Sequence, residues 1–302
     1  MKVKNLELGS LATESNNERT KHIDRCNTFE MLEMMNNEDK MAAVAVEKEL
    51  AHIAIAVDKI AEGFEKGGRL IYCGAGTSGR LGVLDASECP PTFGTPKEMV
   101  QGFIAGGDYA LRNAIEGAED SFQAGIDLIK SINITDKDVV VGITASGRTK
   151  FVLGAIDQAK KQGAYTVGVC NNLDTELHAV CHTTIAPHVG PEVIQGSTRL
   201  KAGTAQKLVL NMLTTGAMIK IGKVYKNYMV DMKATNEKLL DRAVRLVTLA
   251  AEVDYEQAKA VLEKCDFHVK TAIVMIKENC DFETAQRLLE NAKGYIAKIV
   301  NE

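Results

Sequence analysis

Two carboxylates and two runs of small hydroxyl residues carry the chemistry that this chain's residue types allow. Glu88 lies in Asp85-Ala86-Ser87-Glu88-Cys89-Pro90-Pro91, and Glu119 lies in Glu116-Gly117-Ala118-Glu119-Asp120. Elimination of a group β to a carbonyl needs a base for the α-proton and an acid for the departing oxygen. Two carboxylates can do both when their surroundings hold one ionised and the other protonated. A plainer reading stands beside this one. Glu116, Glu119 and Asp120 also suit the acidic first turn of a following helix, and residue types alone leave the two open.

The hydroxyl runs give the carboxylates something to act on. The apolar stretch Leu70–Cys73 feeds Gly74-Ala75-Gly76-Thr77-Ser78-Gly79-Arg80, and Val139–Ile143 feeds Thr144-Ala145-Ser146-Gly147-Arg148-Thr149. A strand entering such a loop at a helix start aims backbone N–H groups at a phosphate. Gly76, Thr77 and Ser78 from the first loop, with Ser146, Gly147, Arg148 and Thr149 from the second, are candidate contacts to a monoester phosphate. Arg80 offers further charge, although either arginine also fits a surface ion pair. A third stretch, Gly190-Pro191-Glu192 with Gly196–Thr204, leads into a long helix and adds Glu192, Ser197 and Lys201. The alternative of plain tight turns is weakened by the pairing of two hydroxyl-rich loops. Together these residues point to proton transfer on a phosphorylated small molecule.

Other chemistries fit less well. Gly74, Gly76 and Gly79 match the G-x-G-x-x-G pattern of a dinucleotide site. That fold wants an uninterrupted crossover helix and an acidic residue ending the second strand. Here Pro90-Pro91 is expected to cut the helix short, and the second strand runs into Ala105-Gly106-Gly107. His178, Cys181, His182 and His188 match no usual zinc spacing, and Cys73 and Cys89 read as packing residues. No metal or organic cofactor is expected.

The elements that must position these residues follow from periodicity. Residues 1 to about 25 are polar and without period, and are expected to lie extended on the surface or on a partner subunit. A helix is expected from Asn37, with Val46, Leu50, Ile53, Val57, Ile60 and Phe64 on one face, ending at Gly67-Gly68. Strand-type runs at Leu70–Cys73, Met99–Ala105, Val139–Ile143, Tyr165–Cys170 and Thr183–Ile185 alternate with helices. That alternation predicts an α/β fold, a doubly wound, mostly parallel sheet flanked by helices. A helix is further expected from Lys201 to about Ile221, and a helix or linker from Thr235 to about Leu249. Then Asp254–Glu263 and Asp281–Glu290 repeat one pattern of Asp cap, aromatic and first-turn Glu, which marks a small three-helix module at the C-terminus. The expected divisions are an N-terminal extension (1–36), a phosphate-binding catalytic domain (37–232) and a C-terminal helical module (233–302).

Composition narrows the class. A net charge of −4 gives no general reason to bind nucleic acid or an anionic membrane. No apolar run approaches the roughly 20 residues of a membrane span, and the first twenty hold no signal-peptide core. Seven cysteines without CxxC spacing read as reduced thiols, so the expected compartment is the cytoplasm.

With those residues assembled, the chain resembles the N-acetylmuramic acid 6-phosphate etherases of the sugar isomerase (SIS) superfamily, which also holds the glucokinase regulatory protein. The likeness is most specific in Gly74–Gly94, Ile115–Asp120, Ala145–Thr149 and Gly190–Asn211. It implies cleavage of a D-lactyl ether by C2 deprotonation, loss of lactate and rehydration. By motif position it makes Glu88 the proton donor to the departing lactate and Glu119 the second acid/base. It also implies a homodimer with a shared site, no cofactor, and a C-terminal fold of the ubiquitin-associated type. Lys150 departs from the proline that many members carry there. The rival readings are a non-catalytic sugar-phosphate sensor and an aldose–ketose isomerase, neither of which would release lactate.

Overall fold

The computed structural model describes residues 11–234 and 236–300. Five short strands form its centre: β1 (Leu70–Gly74), β2 (Val100–Ile104), β3 (Val139–Ile143), β4 (Tyr165–Val169) and β5 (Thr183–Ile185). All pair in parallel, in the order β2-β1-β3-β4-β5. Strands β1 and β3 are buried throughout, which is why they read as unbroken apolar runs rather than alternating ones. The strand order reverses between β1 and β3. In open parallel sheets the crevice at that switch point, beyond the carboxyl ends of the strands, is where ligands bind. The two hydroxyl loops follow those two neighbouring strands.

Helices cover both faces. Before the sheet come α1 (Thr28–Glu47) and α2 (Leu50–Glu65), and α3 (Gly76–Phe93) joins β1 to β2. The short α4 (Tyr109–Arg112) and then α5 (Phe122–Ser131) lead to β3, and α6 (Lys150–Lys161) leads to β4. A single turn, α7 (Glu176–Val180), precedes β5, after which comes α8 (Lys201–Lys220). On one face Ile129, Phe151, Val152 and Ile156 pack against Ile71, Cys73 and Val140. On the other, Tyr72 donates its hydroxyl to Asp85 of α3 (3.0 Å), which also accepts from Asn211 (2.7 Å) and Thr214 (3.2 Å) of α8. Burial pushes the Asp85 carboxyl up, and these three bonds pull it back. Asp85, inside the same motif as Glu88, therefore ties β1, α3 and α8 together.

Three expectations need correction. Helix α1 starts at Thr28 and not at Asn37, because Asn27 and Glu30 form a reciprocal capping box, and the single helix expected up to Gly67-Gly68 is broken at Lys48-Glu49 into α1 and α2. Phe29 and Leu32 are exposed there, so no buried stripe announced the start. Residues 11–26 are not simply extended. They form short turns, and Thr13, Asn17 and Thr20 are buried in hydrogen bonds to Asn172, Pro191 and Val193. Residues 1–10 lie outside the described range. Finally, Pro90 and Pro91 do not cut α3 short, since the helix carries both and ends at Phe93. A proline removes one helical N–H and crowds the carbonyl four residues back, and so close to the C-terminal end the helix carries two.

The chain divides into two compact units, Met1–Ser87 with Glu98–Thr214, and Glu88–Lys97 with Thr215–Glu302. The second contains α9 (Glu237–Ala251), α10 (Tyr255–Glu263), α11 (Val269–Lys277) and α12 (Phe282–Asn291). Asp254 and Asp281 cap α10 and α12 by accepting from Gln257 N–H (2.8 Å) and Thr284 N–H (2.9 Å). Val244 and Val247 of α9 share one core with Leu262, Ile273 and Leu289, so α9 is part of the module rather than a linker. Among the described residues no helix is long and apolar enough to cross a membrane.

Candidate active site

The site is built at the switch point by two turns that glycine makes possible. Strand β1 ends at Gly74 and α3 begins almost at once. A Cβ on Gly79 would lie 2.8 Å from the Gly74 carbonyl oxygen, so only glycine lets the helix start this close to its strand. Gly147 turns the second loop with φ 72°, and a Cβ there would run into the Thr175 side chain at 2.3 Å. Within that loop the Thr144 hydroxyl lies 2.7 Å from that of Thr149 and 3.3 Å from that of Ser146, and Ser146 Oγ accepts from Arg148 N–H. Asn172 braces the loop by donating to the Ala145 carbonyl (2.9 Å), while its side chain also bonds Thr13.

The two loops meet in a cavity of about 260 Å³ lined by Gly76, Thr77, Ser78, Thr144, Ser146 and Thr149, with Glu14, Glu119 and Thr198 at its walls. Glu119 stands in a single turn, Ala118–Asp120, raised by Gly117 in the left-handed region and held before the Ser121 cap of α5. It is exposed and also borders two further cavities, one of about 330 Å³ toward Ile104 and Ile115 and one of about 410 Å³ toward Arg148 and Lys150. The arrangement offers an anion hydroxyl and amide donors at two helix starts, with a carboxylate beside it. Ser78 has a second duty: its hydroxyl donates to buried Gln206 (2.8 Å), which in turn donates to Asn171 (3.0 Å).

Residues 52–160 match the family model for the glucokinase regulatory protein N-terminal SIS domain, and residues 121–216 match that of the SIS domain. The chain is 56% identical over 298 residues to an N-acetylmuramic acid 6-phosphate etherase of Clostridium botulinum strain Hall, covering 99% of each. The chain belongs to the N-acetylmuramic acid 6-phosphate etherase family. Another etherase, from Caldanaerobacter subterraneus subsp. tengcongensis, is 53% identical over 295 residues, 98% of this chain and 96% of that one. Among solved structures, a provisionally described phosphosugar isomerase involved in capsule formation, from Bacteroides fragilis, aligns with a TM-score of 0.50. At 17% identity, over 67% of this chain and 97% of that one, it shows the fold alone.

Not every expected site residue of this etherase-family chain reaches the cavity. Glu88 is exposed in the fourth turn of α3, ~18 Å along the helix from Gly76 at 1.5 Å per residue, and is not among the lining residues. Glu192 and Lys201 are wholly buried. Glu192 caps α8 by accepting from the N–H groups of Lys201 and Ala202, both at 2.9 Å. The Lys201 ammonium lies 2.6 Å from Glu38, which is also held by Arg19. The reason is geometric: a carboxylate that fills a helix start leaves no room there for a ligand. Ser197 sits in the turn before α8, and its neighbour Thr198 lines the cavity instead. Arg80 spends its guanidinium on the carbonyls of Ala110 (2.7 Å) and Leu111 (2.9 Å). Glu14 was not foreseen, because a polar arm without periodicity gives no signal for it.

The thiol and imidazole groups are likewise occupied. Burial pushes the Cys73 thiol up to about 12, which removes it as a nucleophile. His178 Nδ1 pairs with Thr175 (2.9 Å) and His182 Nδ1 with Thr166 (2.8 Å).

Proposed function

We propose that this chain cleaves the D-lactyl ether of N-acetylmuramate 6-phosphate, giving N-acetylglucosamine 6-phosphate and D-lactate. The observation that carries the reading is the switch-point cavity, where two hydroxyl loops and one open carboxylate, Glu119, share a wall. End-to-end similarity to curated etherases supports the same reaction. The phosphate rests on Thr77, Ser146 and Thr149 with the amide ends of α3 and α6. Glu119 takes the C2 proton of the ring-opened sugar. The electron pair left on C2 forms the C2–C3 double bond, and lactate departs from C3 as a Glu88 protonates its oxygen. That role needs the site shared between subunits inferred below, because Glu88 does not line its own subunit's cavity. Water then adds across that bond. No metal or organic cofactor takes part on this reading.

We also infer a cytoplasmic homodimer with the site shared between subunits, serving amino-sugar recovery from peptidoglycan. The support is on α1, where Phe29, Leu32, Met41 and Val44 are all exposed, apolar side chains that a second copy would cover. The proposed divisions remain 1–36, 37–232 and 233–302, with the last as an accessory helical module. The test is D-lactate release from N-acetylmuramate 6-phosphate, read through a D-lactate dehydrogenase couple without added metal. Stoichiometric release, much slower without the 6-phosphate, is the expected result. Tight binding with no release would turn the chain into a sensor.

A further inference from the structure

The second cavity beside Glu119 shares Gly76 with the hydroxyl cavity but none of its hydroxyl side chains. It measures about 330 Å³, and Ile104, Ala105, Ala110, Ala114, Ile115 and Ala118 line it beside Arg80, Asn113 and Glu116. Ala105 and Ala110 are buried, but Ile115 is 38% exposed, an isoleucine left at a cavity rim rather than in the core. The wall is held in shape on purpose. Arg80, from α3, donates to the carbonyls of Ala110, Leu111 and Asn113, and the Asn113 side chain donates back to Tyr109 (3.2 Å). A full guanidinium is thus committed to the carbonyls of one short segment that walls this cavity.

Granting the proposed reaction, C2 lies at Glu119, and the acetamido nitrogen is bonded to that same carbon. Its methyl group can enter only a cavity that opens at Glu119. The hydroxyl cavity is taken by phosphate, and the third has Leu11 as its one aliphatic side chain among Asp120, Arg148, Lys150 and Glu176, whereas the Ile104–Ile115 cavity is walled by two isoleucines and several alanines. We propose that the Ile104–Ile115 cavity is the specificity pocket for the N-acetyl group, with Arg80 as the positioning residue that keeps its wall closed. This rests on the etherase reading for the place of C2, but its test does not depend on turnover.

The experiment measures calorimetric affinities of N-acetylglucosamine 6-phosphate and glucose 6-phosphate, which differ at C2, on the wild type and on Ile115→Asn, Ala110→Leu and Arg80→Gln. Wild type is expected to prefer the N-acetyl sugar by about 10-fold, the scale of one small apolar group in a pocket. Ile115→Asn and Ala110→Leu should abolish that preference while glucose 6-phosphate binds as before. Arg80→Gln should weaken it. Ile115 stands at an exposed rim, so its variant folds even if Ala110→Leu does not. A preference that survives in Ile115→Asn and Arg80→Gln, or equal losses for both sugars, would overturn the pocket. Absent lactate release with selective binding intact would instead overturn the etherase reading alone.

Discussion

The switch-point cavity and the base of α8 both hold residues that the sequence offered as ligand contacts, and use them in opposite ways. At the base of α8 every charge is consumed by the fold: Glu192 on two backbone N–H groups, and Lys201 on Glu38 with Arg19 beyond it. At the cavity Glu119 stands exposed on a one-turn bulge, and Ser146 and Thr149 line the space with hydroxyls that bond within their own loop. Both regions sit in stretches that carry the family resemblance. A motif therefore does not separate a residue that acts from a residue that holds. Burial does, because a buried ion survives only when its partners are already in place.

That contrast is broken most severely at the carboxylates. Glu119→Gln and Glu88→Gln should each cut lactate release by about 10²–10⁴-fold, the usual share of one general acid or base. Melting temperatures should stay near wild type, because both groups are exposed. Glu88→Gln should still exchange the C2 hydrogen with solvent, and retained lactate release in it would remove Glu88 from the mechanism.

At the α8 base the sign reverses, with stability lost first. Glu38→Ala strands the Lys201 charge and should cost about 3–5 kcal/mol in urea unfolding. A loss below about 1 kcal/mol would mean that water reaches the pair.

The same cluster should show in acid. Arg19, and with it Lys201, holds the Glu38 carboxyl down to about 2. Its folded value is depressed, so its stabilisation is complete above the unfolded carboxylate range, near 4.3, and fades as pH falls toward 2. Glu38→Gln should flatten the stability profile across that window, and an unchanged slope would assign acid unfolding to other groups.

Smaller effects should return to the loops. Ser146→Ala with Thr149→Val removes two neutral donors, each worth about 0.5–1.5 kcal/mol. The expected result is a raised KM and weaker inhibition by inorganic phosphate, with kcat falling less. Equal losses in kcat and KM terms would place these hydroxyls at the reacting centre instead. Smallest of all, Lys150→Pro sits at the first residue of α6, where proline's fixed φ suits a helix start and should add at most about 1 kcal/mol.

Much of this was legible in the chain. The five strands lie where the apolar runs placed them, because strands buried on both faces must be continuously apolar. Asp254 and Asp281 cap their helices because capping is local chemistry, decided within three residues. The α1 start was missed, since an exposed helix carries no core-facing stripe. The α3 end was missed because proline's penalty depends on its place in the helix.

Residue order alone therefore settled the strand and loop sequence, the hydroxyl loops and the two carboxylates worth testing. It could not settle which polar groups remain available. Glu192 and Lys201 looked as ready for a ligand as Ser146 and Thr149, and Arg80 looked as ready as any phosphate-binding arginine. Only the packed chain spends the first two on a helix start and on Glu38, and the third on the carbonyls of a loop thirty residues away. Hydrogen-bonding capacity is a property of the side chain, but whether any of it is left over depends on neighbours distant in sequence.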